Sequence, residues 1–284
     1  MAFHIAQISD THLSALHPGF TANFEALAAH LLEQAPDLVV HTGDVSAHGE
    51  QPGPQGQEDL AYARRAMDGL GLDWVAVPGN HDVGNDPACG GDTPADAGRV
   101  ARWEMAFEAG HFLRDVPGWR LIGLNTLITG TDLPQAEAQF AFLEEALAGA
   151  GNRRVAIFQH KPLCEVTFAE SGMTYWSVLP GARRRMLALL RRHDVAFVAS
   201  GHVHQAQDRG VVEEIRQIWA PAVAFFVGDT WQERMGDKRL GYVAHVLHED
   251  GRHEARIVHL PALQPHDIGL MPHVYGPQRP VAAE

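Results

Sequence analysis

The chain is short of cysteine: Cys89 and Cys164 are its two in 284 residues, too few for a disulfide framework. Two reduced thiols of a cytosolic protein are expected, with one bridge as the alternative. It is also short of basic residues. Twenty-two Lys and Arg against 35 Asp and Glu leave a formal charge of −13. That balance gives no general attraction for a polyphosphate backbone, so no nucleic-acid polymer is expected as partner. Long apolar runs are missing too. The longest, residues 218–227, is interrupted by Pro221 and is too short to cross a bilayer, so no transmembrane segment is expected. The opening Met1-Ala2-Phe3-His4-Ile5 carries no basic region or cleavage site, which makes a cytoplasmic location the expectation. What is present is an apolar fraction of 45% with 20% charged residues, suited to a soluble protein with a sizeable core. There are also 18 histidines, unusually many for a residue that binds metals and carries protons.

Short apolar runs alternate with longer amphipathic ones. Strands are expected at 3–8, 38–42, 74–77, 119–124, 155–159 and 195–199, and helices at 21–34, 58–70, 100–107, 135–147 and 182–192. Residues 84–98, rich in Gly, Pro and Asp, read as a loop. The alternation argues for an α/β layered fold. After Gly201 strands follow without long helices, at 214–218, 222–227, 240–247 and 255–260, and suggest a second, more antiparallel sheet. Residues 1–260 then form one catalytic domain. Residues 261–284, with five prolines and no periodicity, form a tail or strap and a candidate homodimer surface.

The chemistry collects where strands end. The first leads to Asp10-Thr11-His12, the second to Gly43-Asp44 and the third to Gly79-Asn80-His81-Asp82; two later ones lead to His160 and to Gly201-His202-Val203-His204. Ligands of α/β sheets sit beyond the carboxyl ends of strands, so these segments should converge. In an extended chain, residues i and i+2 point the same way, so Asp10/His12 and His202/His204 should each present two groups to one place. Asp10, His12, Asp44, Asn80, His160, His202 and His204 make a donor set too large for one tetrahedral zinc. It fits two ions sharing a carboxylate, with open positions for water or substrate. With no thiolate in the set, manganese, iron or zinc held for catalysis is favoured over a closed structural site. Taken singly, each segment has a plainer reading: a turn aspartate for Asp10 or Asp44, a hydrogen-bonded structural histidine for His160. Their joint occurrence, in order, outweighs these.

The pattern resembles the calcineurin-like metallophosphoesterase family, whose motif D-x-H, GD, GNH-[DE], H, GH-x-H stands complete at the residues just quoted. The resemblance implies a four-layer α/β/β/α sandwich of two packed mixed sheets flanked by helices. It implies one ion held by Asp10, His12, Asp44 and His204, and a second by Asp44, Asn80, His160 and His202. His81 would face the substrate and stabilise or protonate the departing oxygen, and Asp82 is a candidate to orient an imidazole. The implied activity is that of a dinuclear metal-dependent phosphodiesterase acting on a small phosphodiester of cyclic-nucleotide or glycerophosphodiester type, with metal-bound hydroxide attacking. The segment Asp44-Val45-Ser46-Ala47-His48-Gly49 lacks the arginine of the family's phosphoprotein phosphatases. A phosphomonoesterase, a phospholipid-cleaving phosphoesterase and an inactive metal-free scaffold are the alternatives. Tyr175, Trp176, Phe225, Phe226 and Trp231 are candidates for an aromatic lip, with core packing as the plainer reading. Lys161 and His48 are candidates for phosphate contact, and Arg183-Arg184-Arg185 reads as a surface face.

Overall fold

The computed structural model describes residues 2–90 and 93–281, which form two sheets. In the first, β1 (Ala2–Ile8), β2 (Leu38–His41) and β3 (Trp74–Ala76) run parallel, and β10 (Gly241–His248) and β11 (His253–His259) extend it antiparallel beyond β1. The second has the order β4 (Phe112–Val116), β5 (Trp119–Leu124), β6 (Arg154–Gln159), β7 (Val195–Ser200), β9 (Ile215–Trp219) and β8 (Gln207–Val212). Its inner strands β5, β6, β7 and β9 are parallel, and β4 and β8 are antiparallel edges.

Period-two alternation builds the layers. On β6, Ala156 and Phe158 face the other sheet, and join Ile5, Val40, Trp119, Phe197 and Val243 in the apolar layer between the sheets. The intervening Val155 and Ile157 point outward onto α5 (Pro134–Ala148) and α6 (Pro180–Leu190). On the opposite side Ala6, Ile8 and Val39 meet α1 (Pro18–Gln34), α2 (Pro54–Asp68) and α4 (Ala97–Phe107). The result is the expected α/β/β/α sandwich. Each fully buried Phe, Leu or Ile of these layers contributes about 1.5–3 kcal/mol.

Several local expectations differ. The four helices α1, α2, α5 and α6 each begin at a proline, one to four residues before the start expected from their apolar periodicity. Proline suits the first helical position, where its missing N–H costs nothing and its φ is already helical. Strands after Gly201 do not form a sheet of their own: β8 and β9 join the second sheet, while β10 and β11 return to the first. Residues 222–225 are buried and 226–227 half-buried, but the segment is not a strand. Val223 and Ala224 donate instead to the carbonyls of Ser9 and Asp10, and Phe226 to that of His266. Arg183 is buried, donating to the carbonyls of Leu163 and Val178 and to that of Glu170.

Residues 261–281 strap across the carboxyl edge of the sandwich. The buried Asn23 amide of α1 donates to the carbonyls of Val223, Ala224 and Gln264, and its oxygen accepts from Gln264 N at 2.7 Å. Beyond this clamp, Ile268 and Val274 pack with Phe20, Ala224 and Phe225 in a separate apolar cluster. Among the described residues no helix is long and apolar enough to cross a membrane, and Cys89 and Cys164 are free thiols.

Candidate metal centre

The carboxyl ends of β1, β2 and β3 in one sheet, and of β6 and β7 in the other, open onto one place. Main-chain bonds stitch the loops together: Asp10 N donates to Gly43 O, His12 N to Asp44 O and Gly201 N to His160 O, at 2.9–3.0 Å. The side chains do not converge through extended alternation. Asp10, His12, Asp44, His202 and His204 have φ values of 56°, 43°, 53°, 69° and 56°. This left-handed region costs non-glycine residues on the order of 1–3 kcal/mol each and persists where the surroundings enforce it. Sharp left-handed turns, not strand geometry, aim these groups inward. Two glycines make room for them: a Cβ on Gly79 would collide with the Asp44 carboxylate, and one on Gly201 with the Ser9 hydroxyl.

Asp10, His12, Asp44 and His204 form one buried group and Asp44, His160 and His202 a second, so Asp44 belongs to both. Asp44 Oδ2 lies 3.4 Å from His160 Nε2 and 3.7 Å from His12 Nε2. Asn80 adds its Oδ1 at 3.1 Å from His160 Nε2.

The outer hydrogen bonds decide which ring atoms carry protons. His160 Nδ1 meets the Thr42 carbonyl at 2.8 Å, His202 Nε2 that of Tyr175 at 2.9 Å and His204 Nδ1 that of Phe225 at 2.9 Å. A carbonyl only accepts, so each of these nitrogens is the N–H. With the rings neutral, the opposite nitrogens carry lone pairs, and they point at one another and at carboxylates: His202 Nδ1 is 3.1 Å from His160 Nε2, and His204 Nε2 is 3.2 Å from Asp10 Oδ1. Asp10 Oδ1 is buried and has no hydrogen-bond partner. Nitrogen and oxygen donors converging in this way are the donor set of a cation, and the arrangement fits a dinuclear metal centre.

The electrostatics follow. Burial pushes His12 and His202 well below the usual imidazole range. It also acts on His160, but there the Asp44 carboxylate outweighs it and lifts the ring to about 9. In His204 burial is outweighed by the charge of Asp10. Burial raises Asp44, yet the neighbouring His160 and His81 hold it well below the carboxylate range.

His81 begins the short helical turn α3 (Asn80–Val83) with Asn80, rather than an extended segment. Its amide donates to Asp44 Oδ1 at 2.7 Å, and its Nδ1 lies 3.2 Å from the Ala47 carbonyl. Asp82 orients no imidazole. Its carboxylate accepts from the amides of Val45, Ser46 and Gly79 and from the Ser46 hydroxyl, bracing the two loops that carry Asp44 and Asn80.

Over the centre lies a cavity of about 370 Å³, with Asp44, His81, His202 and His204 at its base. Tyr175, Trp176, Phe225, Trp231 and Tyr275 supply aromatic walls, and among the described residues neither Lys nor Arg lines it. Phe226 packs against the core instead. Lys161 is buried, its ammonium 3.6 Å from Cys89 Sγ, and His48 Nε2 lies 2.8 Å from His17 Nε2. Tyr275 has no counterpart in the sequence reading.

Residues 3–206 match the model of the calcineurin-like phosphoesterase family. The chain is 25% identical over 218 residues to the "Probable glycerophosphodiester phosphodiesterase GpdQ" of Arcobacter nitrofigilis, covering 71% of each protein. It is 28% identical over 223 residues to the "Probable cyclic nucleotide phosphodiesterase syc0937_d" of Synechococcus, covering 74% of this chain and 78% of that one. To the "Serine/threonine-protein phosphatase CPPED1" of Danio rerio it is 28% identical over 210 residues, 71% of this chain and 64% of the relative. In fold it resembles a dimetal phosphatase of Danio rerio, with a TM-score of 0.59 at 14% identity over 89% of this chain and 98% of that one. The chain belongs to the calcineurin-like phosphoesterase family and is a metal-dependent phosphoric ester hydrolase.

Proposed function

We propose that this protein is a dinuclear phosphodiesterase acting on a small phosphodiester of cyclic-nucleotide or glycerophosphodiester type. The observation that carries the reading is the pair of lone-pair clusters joined at Asp44 beneath an aromatic cavity without Lys or Arg. Asp10, His12, Asp44 and His204 hold one ion, and Asp44, Asn80, His160 and His202 the other. The nitrogen and oxygen donors suit manganese, iron or zinc. Such a pair of ions supplies Lewis acidity toward the phosphoryl oxygens and a water acidified toward neutrality.

The protein's own groups do the rest. Main-chain carbonyls fix the rings of His160, His202 and His204 with their lone pairs inward. His81, whose Nδ1–H is held by Ala47 O, can in its imidazolium form give the Nε2 proton to the departing alkoxide, leaving the neutral ring. A diester monoanion needs no cation beyond the centre, and its organic substituents find the aromatic walls. A monoester dianion finds no Lys or Arg in the lining to meet its second charge. The likeness to the diesterases named above supports the same substrate class, and the free Cys89 and Cys164 suit a reducing cytoplasm.

The test is hydrolysis of bis(p-nitrophenyl) phosphate against p-nitrophenyl phosphate by the manganese-loaded protein, with Asp44→Asn alongside. Diester turnover well above monoester turnover, lost in the variant, is expected. The reverse preference overturns the reading in favour of a phosphomonoesterase, which the CPPED1 likeness would then support.

A further inference from the structure

We infer that Tyr275, on the C-terminal strap, is a positioning residue of the metal centre, whose hydroxyl sets the tautomer of His12 and links it to His81. The inference rests on the metal reading proposed above.

Three of the four candidate ligand histidines have their outer nitrogens on main-chain carbonyls, those of Thr42, Tyr175 and Phe225. His12 is different. Its Nδ1 lies 2.7 Å from the hydroxyl oxygen of Tyr275, a side chain 263 residues further along. That hydroxyl donates to Ala47 O at 3.3 Å, so its oxygen is left to accept from His12 Nδ1–H. His12 Nε2 then carries the lone pair, facing His204 Nε2 at 3.4 Å and Asp44 Oδ2 at 3.7 Å. The same Ala47 carbonyl lies 3.2 Å from His81 Nδ1. One chain of hydrogen bonds thus orders a candidate ligand and the candidate acid through a single phenol.

Packing holds the phenol in place. Its ring centroid is 4.4 Å from that of His81 and 5.7 Å from that of His12, with Phe225 at 4.6 Å from His12. Tyr275 closes the turn α7 (Pro272–Tyr275), whose Val274 is buried in the Phe20, Phe225 and Ile268 cluster. Asp267 fixes the strap upstream by accepting from the amides of Gly228 and Gly269, each at 3.0 Å. Main-chain carbonyls stay with the sandwich whatever the tail does, whereas the phenol arrives only when the strap docks. Strap docking is therefore coupled to the ligand geometry of His12.

The test is Tyr275→Phe in the full chain, which keeps the ring and removes the hydroxyl. Cobalt(II) is titrated into the metal-free protein with visible absorption as the readout, and the metal-free unfolding temperature is measured in parallel. One of two cobalt equivalents should weaken roughly 10- to 100-fold, as for lost partners of metal-binding histidines, while the other equivalent and the unfolding temperature stay as in the wild type. Wild-type affinity for both equivalents overturns the inference. A wild type that binds no metal overturns the metal reading itself, so the two failures are distinct. Nitrogen-15 NMR of the zinc-loaded wild type tests the same point without a variant: His12 should be protonated at Nδ1, and an Nε2–H tautomer overturns the inference.

Discussion

Asp10 Oδ1 and His204 Nε2 stand 3.2 Å apart, both buried, and with His204 Nδ1 given to Phe225 O the contact is open to a cation, either a proton or a metal ion. Without a metal ion the Asp10 charge favours a proton at His204 Nε2, and a bound ion takes that proton's place. Manganese at a hundred times its dissociation constant should stabilise the metal-free protein by about 2.7 kcal/mol, a rise of roughly 4–5 °C in unfolding temperature. Asp10→Asn changes both halves of that balance. Asp10 Oδ2 accepts from His202 N, so the variant's amide nitrogen falls where Oδ1 was and can donate to His204 Nε2. Metal-free Asp10→Asn exchanges the charged contact for a neutral hydrogen bond and should melt close to metal-free wild type, with a smaller rise on adding manganese. Thermal unfolding with chelator and with manganese measures both. A metal-free variant melting well below the wild type sinks the argument.

His81→Ala should lower kcat by about 10²–10⁴-fold, the range for a general acid, while two metals per chain remain. The backbone amide that bonds Asp44 Oδ1 survives this change. Because p-nitrophenolate leaves without needing a proton, its diesters should lose less than a glycerophosphodiester does. Equal losses on both substrates, or loss of metal, would remove His81 from the acid's role.

Much of this centre was legible because α/β strands deliver their functional residues at their carboxyl ends, where Asp10, Asp44, Asn80, His160 and His202 stand. The manner of delivery was not legible. Left-handed φ at five non-glycine positions is set by the contacts that hold the loops together, and these appear only in three dimensions. Residues 222–227 have a strand's composition, but the backbone partners they find are Ser9, Asp10 and His266 rather than a ladder. The strand β8, with an exposed Val211 and no apolar face, carried no alternation to read. Tyr275 lies in a tail without periodicity, and its partner His12 is at the far end of the chain.

Trp176 offers a stacking surface above the centre, its ring 5.7 Å from that of His202 and on the cavity wall. An aromatic pair adds about 0.5–1.5 kcal/mol beyond burial. Trp176→Ala should therefore raise KM for bis(p-nitrophenyl) phosphate about 2- to 10-fold with kcat little changed. A glycerophosphodiester, which has no ring to stack, should be much less affected. The same shift in KM for both would mean that Trp176 supports the loop rather than the substrate.

Far from the centre, the two sheets enclose a histidine pair that sets an acid limit on stability. His245 Nδ1 lies 3.0 Å from His253 Nε2, and Phe197 stacks on both rings. His245 Nε2 meets Gln7 Oε1 at 3.0 Å, so that nitrogen is the donor, and the pair is satisfied with both rings neutral. Burial, then the Arg216 guanidinium, lowers His253 to about 3, and burial, then His253, takes His245 well below its usual range. In the unfolded chain both rings take up protons below about pH 6.5. Between that pH and about 3 the unfolded state binds more protons, so stability falls as pH drops, by up to about 1.4 kcal/mol per pH unit for each ring. Urea unfolding of the chelator-treated protein between pH 7.5 and 5 should show this slope. His253→Gln keeps an amide to donate to His245 Nδ1 but cannot titrate, and should reduce the slope by up to one proton. An unchanged slope would place the acid sensitivity in other groups.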